Sequence, residues 1–236
     1  MTDKLIKQKH MRALSEYRRK LFAEPKLRHL FFELTMNCNE HCKHCGSSCG
    51  DEHIPDMLTT EEYFRITDQI KRDFGTKGLM LCITGGEPLL RRDFFDILGY
   101  ANELGFNWGM TTNGTLIDKD TAHRLHLAGM KTVSISIDGL EQTHNEFRRS
   151  KDGYARAMAG LQNLIDEGGF RHIQVTTVIT HESINELDAL FDTSNGNPPY
   201  KMRATNHNGI KTDEWLIGYR IQKDPTGKKD IVEAKE

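Results

Sequence analysis

The sequence predicts an α/β protein built on a parallel sheet with helices packed against it. Three observations predict it. From residue 29 to residue 192, short apolar runs alternate with segments of helical period. Glycines close most of the helical segments. Polar clusters fall where the predicted strands end. Alternation of this kind implies parallel strands joined by right-handed helical crossovers. A barrel-like sheet and an open doubly wound sheet both satisfy it, and period alone does not separate them.

The elements follow in order. Residues 1–28 carry nine Lys/Arg against Asp3, Glu16 and Glu24, with Leu14, Tyr17 and Leu21 at helical spacing, which predicts a short basic surface helix. His29–Thr35 is a short apolar run and the first strand. Thr59 and Glu62 form a capping-box pattern ahead of Tyr63, Ile66, Ile70 and Phe74, so a helix starts at Thr59 and stops at Gly75. Leu79–Thr84 is the second strand, 93–104 a helix ended by Gly105, and Asn107–Thr112 the third strand. A helix over 118–128 ends at Gly129, and Lys131–Ile137 is the fourth strand. Residues 152–167 place Ala157, Leu161, Leu164 and Ile165 on one helical face. Arg171–Thr180 is the fifth strand, followed by a helix over 183–192. Past Asp192 helical period is lost and charges are dense. Tyr200–Thr205 is a candidate sixth strand, and 193–236 reads as a divergent or disordered tail.

Composition excludes several classes. The chain has 236 residues and a formal net charge of −2, so no global positive field suggests nucleic-acid binding. No apolar run approaches the roughly 20 residues of a membrane helix. The first residues, MTDKLIKQKH, lack the pattern of a secretory signal. Four of the five cysteines, Cys38, Cys42, Cys45 and Cys49, fall within twelve residues. An odd count without a signal argues for metal or redox chemistry in a reducing compartment rather than a disulfide scaffold.

The cysteine segment, Cys38-Asn-Glu-His-Cys42-Lys-His-Cys45, follows the first strand. Three thiolates on a short loop can hold three corners of an iron–sulfur cube and leave one iron open to a small molecule. Zinc held with help from Cys49, His41 or His44, a closed four-cysteine cluster, and metal-free thiols are competing readings. The second strand ends in Gly85-Gly86-Glu87-Pro88, where the glycines permit close backbone approach and Glu87 can cap the next helix. The third ends in Thr111-Thr112-Asn113-Gly114. The fourth carries Ser134 and Ser136 on one face, then Asp138-Gly139. Arg148 can fork onto a ligand carboxylate or pair with an acid. These clusters share one position, the carboxyl ends of parallel strands, which is the ligand face of such folds.

These residues resemble the radical S-adenosylmethionine superfamily. The resemblance spans about residues 28–192 and is carried by the Cys38-x3-Cys42-x2-Cys45 loop and by the Gly85–Pro88, Thr112–Gly114 and Ser136–Gly139 turns, in that order. It is strongest to the maturase branch that carries a SPASM or twitch extension. The resemblance implies a partial (β/α)6 TIM-like barrel over 29–192. It implies a [4Fe-4S] cluster on Cys38, Cys42 and Cys45, with S-adenosylmethionine on the open iron. Gly85, Gly86, Glu87 and Pro88 would meet the methionine ammonium, and Ser136 and Arg148 its carboxylate. Asn113 and Thr177 would lie near the ribose or adenine. The implied activity is reductive cleavage to a 5′-deoxyadenosyl radical that abstracts hydrogen from a substrate, a peptide or cofactor precursor, with an external flavodoxin- or ferredoxin-type reductant. Neither nucleic acid nor membrane is an expected partner.

Departures from the family are visible too. No cysteine follows Cys82, so the chain has ligands for one cluster and lacks the branch's cysteine-rich extension. Arg149 stands where a glycine often follows the matching arginine. The tail does not resemble the family's last strand and cap, which puts barrel closure in question. Two further readings therefore stand beside the enzyme: a truncated, non-catalytic cluster-binding remnant or partner subunit, and a structural zinc protein.

Overall fold

The computed structural model describes residues 3–50, 58–180, 183–190, 200–206 and 215–223. Helix α1 (Asp3–Ala23) comes first, then β1 (His29–Glu33), α2 (Thr60–Phe74), β2 (Met80–Thr84), α3 (Phe94–Glu103), β3 (Asn107–Thr112), α4 (Lys119–Leu127) and β4 (Met130–Ser136). They are followed by α5 (Glu141–Arg148), α6 (Gly153–Glu167), β5 (His172–Ile179), α7 (Leu187–Leu190), β6 (Tyr200–Asn206) and β7 (Trp215–Lys223). Strands β1 to β5 pair in sequence order and in parallel, so the predicted α/β alternation is the observed architecture.

Local chemistry sets the boundaries. The Thr59 hydroxyl accepts from the Glu62 amide while Glu62 accepts from the Thr59 amide, closing the capping box at the start of α2. Gly75, Gly105 and Gly129 follow α2, α3 and α4 with φ of 70°, 91° and 83°, where a side chain would be strained. Asp118 caps α4 by accepting from the Thr121 amide.

Strand alternation then divides the sheet into two faces. Leu81, Ile83, Trp108, Val133 and Ile135 are buried in the core with Ile97 and Leu98 of α3, Leu125 of α4 and Leu164 of α6. Each fully buried side chain of this kind contributes on the order of 1.5–3 kcal/mol. On the opposite face, Met80, Cys82, Gly109, Thr132, Ser134, His172 and Gln174 line a cavity of about 260 Å³. Cys82 therefore stands on a cavity wall rather than in the core.

Four elements differ from the sequence reading. Helix α1 is a full 21 residues and almost wholly exposed, longer than the short surface helix expected. Helix α5 is not among the elements the sequence predicts, because its eight residues carry a single large hydrophobe, Phe147. The candidate sixth strand exists as β6, but it does not pair with β5. An unforeseen strand, β7, takes that place, antiparallel to both. Only eight residues, 207–214, separate β6 from β7, fewer than a parallel crossover needs, so the two pair as an antiparallel return. The sheet order β1-β2-β3-β4-β5-β7-β6 is open. The other parts of the 193–236 tail, 193–199, 207–214 and 224–236, lie outside the described residues, as do 191 and 192 of the predicted last helix.

Candidate cofactor site

Loops leaving the carboxyl ends of β1 to β4 surround a second cavity of about 200 Å³. Its wall includes Cys38, Cys42, Cys45, Cys49, Gly85, Gly86, Thr112, Asn113, Ser136 and Arg148. All the cysteines are free thiols.

The cysteine loop is fixed from three sides. On the first, the Gly86 amide donates to the Thr35 carbonyl (2.7 Å) and the Glu87 amide to the Asn37 carbonyl (2.8 Å). This contact explains the two glycines. A Cβ at Gly85 would stand 2.3 Å from the Thr35 oxygen, and one at Gly86 would stand 2.2 Å from the Asn37 oxygen. The turn is glycine because the loop lies directly on it.

On the second side, the His41 and Lys43 amides donate to the Arg148 and Phe147 carbonyls, at 3.3 and 2.9 Å. Carbonyls in a helix's last turn have no intrahelical partner, so the loop caps α5. The His44 ring stacks on Phe147, with centroids 4.5 Å apart and planes 6° from parallel. On the third side, Asn113 Nδ2 donates to Asn39 Oδ1 (2.8 Å) and Asn39 Nδ2 to Thr115 Oγ1 (2.9 Å). The chain then folds back so that the Cys38 amide donates to the Gly50 carbonyl (2.9 Å), which brings Cys49 to the cavity.

A buried charge network stands behind the loop. Arg148 donates from Nε to Asp138 Oδ2 (2.7 Å) and from Nη1 to Glu40 Oε2 (2.9 Å). Asp138 Oδ1 in turn accepts from the Val178 amide, and the Asp138 amide donates to His144 Nδ1. Burial opposes the Arg148 charge, but Asp138, Cys42 and Glu40 outweigh it and push its pKa up. Burial pushes the Glu40 carboxyl up against the pull of Arg148. His144 is pushed down to about 4, by burial first and by Arg148 second.

Several sequence-predicted residues do not reach the cavity wall. The Glu87 carboxylate is wholly buried and accepts from the Thr112 hydroxyl, the Asn113 amide and the Leu89 amide. It caps the 3₁₀ turn Pro88–Leu90 and ties β2 to β3, and burial pushes it up to about 7. Pro88 is buried as the first residue of that turn. Thr177 is fully buried and donates to the Ile137 carbonyl, because strand alternation turns it away from the side shared by Ser134 and Thr176. Gly85, Gly86, Asn113, Ser136, Arg148 and the three loop cysteines do share the wall. Sequence reasoning missed Glu40. Its only signal was an acid placed between two cysteines.

The donor chemistry fits an iron–sulfur cube. Burial pushes the Cys38 and Cys42 thiols up to about 11, so a bound cation is needed to hold them as thiolates at neutral pH. Among the described residues no three His, Cys, Asp or Glu side chains gather closely enough to hold a single metal ion. A cube takes one thiolate at each of several irons.

A cysteine loop on the ligand face of an open parallel α/β sheet, pinned by a Gly-Gly turn and a buried arginine, defines a cofactor-dependent protein of the incomplete-barrel class. Comparison with known proteins makes the class specific. The Radical SAM superfamily profile matches residues 32–193, and the chain belongs to that superfamily. The superfamily uses a [4Fe-4S] cluster and S-adenosylmethionine.

Among curated relatives, Fe-coproporphyrin III synthase of Methanosarcina barkeri is 32% identical over 171 residues, covering 72% of this chain and 42% of that protein. Mycofactocin maturase MftC of Mycobacterium tuberculosis is 33% identical over 188 residues, covering 79% and 46%. The chain thus spans less than half the length of these relatives. Among solved structures, SuiB of Streptococcus suis bound to S-adenosylmethionine superposes with a TM-score of 0.61 at 21% identity, covering 81% of this chain and 44% of SuiB. That likeness establishes the fold. No described helix is long and apolar enough to cross a membrane.

Proposed function

We propose that this chain is the cluster-binding core of a radical S-adenosylmethionine enzyme acting on a peptide or cofactor precursor. One observation carries the reading: Cys38, Cys42 and Cys45 share a cavity wall with the Gly85-Gly86 turn, Ser136 and Arg148. In this reading the three cysteines hold the [4Fe-4S] cluster, which supplies the electron that cleaves S-adenosylmethionine to a hydrogen-abstracting 5′-deoxyadenosyl radical. Gly85 and Gly86 offer backbone groups to the methionine ammonium. Arg148 and Ser136 face its carboxylate, and Asn113 stands toward the ribose. Glu87, Pro88 and Thr177 act by holding the turns rather than by touching the ligand. The neighbouring cavity over the sheet face is the place for substrate. A flavodoxin- or ferredoxin-type protein of the cytoplasm supplies the electron.

SuiB has been solved with a precursor peptide, and MftC is a maturase, which supports a peptide among the substrate classes. A second reading, cluster binding without turnover, is favoured by one observation. Strand β7 stands antiparallel where a sixth parallel strand would pair with β5.

Anaerobic reconstitution with iron and sulfide tests the proposal. The wild type and Cys49→Ala take up about four irons per chain, and Cys42→Ala does not. Dithionite and S-adenosylmethionine then release 5′-deoxyadenosine. An intact cluster without that product establishes the second reading. Stoichiometric zinc that survives Cys49→Ala, with no iron uptake, overturns both.

A further inference from the structure

Glu40 lies between two cluster cysteines, yet its side chain is only 1% exposed and points away from water. Its Oε2 accepts from Arg148 Nη1 at 2.9 Å, across 108 residues of sequence. Its Oε1 is buried and has no hydrogen-bond partner among the described residues. A carboxylate oxygen left unsatisfied in the interior costs stability, so a purely structural role would favour a neutral or apolar residue there.

The surroundings accommodate the acid specifically. A Cβ at Gly153, the first residue of α6, would stand 2.7 Å from Glu40 Oε1 and 2.9 Å from Ser150 Cβ, so the start of α6 packs directly on the carboxylate. Asp138 holds Arg148 from the other edge through Nε at 2.7 Å. With Nε and Nη1 taken, Nη2 is the guanidinium nitrogen without a hydrogen bond among the described residues, on a side chain that lines the cofactor cavity.

We propose that Glu40 is a positioning residue for S-adenosylmethionine binding. It clamps Arg148 to the cysteine loop, so that the cluster ligands and the cation that receives the methionine carboxylate are held as one unit with Nη2 presented to the ligand. This inference rests on the proposed radical S-adenosylmethionine reading and assigns Glu40 a part in it. A guanidinium fixed by two carboxylates is preorganised for a third, which lowers the ordering cost of binding.

The test uses the full chain, reconstituted anaerobically, with Glu40→Gln and Glu40→Ala. Iron content is measured first. S-adenosylmethionine affinity is then read from the change it produces in the reduced cluster's electron paramagnetic resonance spectrum. Both variants keep wild-type iron. The dissociation constant rises about tenfold in Glu40→Ala and less in Glu40→Gln, whose amide oxygen still accepts from Nη1. In turnover the loss falls mainly on the KM for S-adenosylmethionine. Glu40→Asp, which keeps the charge, binds more tightly than Glu40→Ala. Equal affinity in all four proteins overturns the proposal, and so does iron loss in the variants, which would make Glu40 a loop-folding residue. If the wild type itself takes up no cluster, the functional reading fails instead.

Discussion

Replacing Gly86 by alanine should separate the structural and the ligand-facing roles of the Gly-Gly turn. The backbone at Gly86 is not in the left-handed region, so alanine can adopt it and the effect is steric. The new Cβ would stand 2.2 Å from the Asn37 carbonyl oxygen, 2.7 Å from its carbon and 3.0 Å from the Met36 oxygen. All three are backbone atoms and cannot rotate away. The cysteine loop must retreat by about 1 Å to regain van der Waals distance. That retreat stretches the Gly86–Thr35 and Glu87–Asn37 hydrogen bonds, now 2.7 and 2.8 Å. Each bond is worth about 1 kcal/mol net, and overpacking adds about 1–3 kcal/mol, so Gly86→Ala should cost about 3–5 kcal/mol.

Gly99→Ala is the control. Gly99 lies within α3 with nothing within 4 Å of its added Cβ, and alanine there should stabilise by about 0.5–1 kcal/mol. Urea unfolding of the metal-free protein, followed by circular dichroism, measures both, and iron uptake is measured in parallel. If Gly86→Ala unfolds within about 0.5 kcal/mol of wild type and binds full iron, the contact between turn and cysteine loop is not what the glycine serves.

Three further changes have defined outcomes. Arg149 is exposed and ends α5 with φ 53° and ψ 41°, so Arg149→Gly should raise stability by about 1 kcal/mol in the same urea assay, and a loss would show that the side chain has a contact worth more than the strain. Thr59→Ala removes the capping box of α2 and should lower the unfolding free energy by about 1 kcal/mol, whereas Thr59→Asn should recover most of it. His144, pushed down to about 4, is neutral when folded and charges more readily when unfolded, so its contribution is present above about pH 6.5 and lost as pH falls toward 4. That loss is on the order of 3 kcal/mol. Stability measured across this range should fall less steeply in His144→Asn, and an unchanged slope would assign the acid sensitivity to other groups.

The fold was legible where its signals are local. The Thr59–Glu62 box, the glycines after α2, α3 and α4, and the alternation of Leu81 and Ile83 with Met80 and Cys82 are decided within a few residues of each other. The pairing of β7 with β5 is not. Ile173 meets Ile221 and Thr176 meets Gly218 across more than forty residues, and nothing inside Trp215–Lys223 states which strand it will join. Helix α5 was obscured for a different reason. It is held by what it receives from the cysteine loop, through the Phe147 and Arg148 carbonyls, more than by an apolar stripe of its own.

The same division runs through the candidate site. Thiols at short spacing are a chemical signal in the sequence itself, so Cys38, Cys42 and Cys45 stood out as candidate ligands before any geometry was known. The side-chain partners of Glu87, Arg148 and Thr177 could not. Glu87 and Thr177 look like ligand groups because they lie at strand ends, but each spends its hydrogen bonds on a neighbouring strand or turn. Strand-end position therefore marks two kinds of polar residue, those that face the cavity and those that hold the loops facing it. Arg148 belongs to both, because Asp138 and Glu40 fix two of its nitrogens while the side chain stays on the cavity wall. Mutating such a residue cannot distinguish the roles. Mutating Glu40 can, because it touches the arginine at one edge and leaves the three loop cysteines in place.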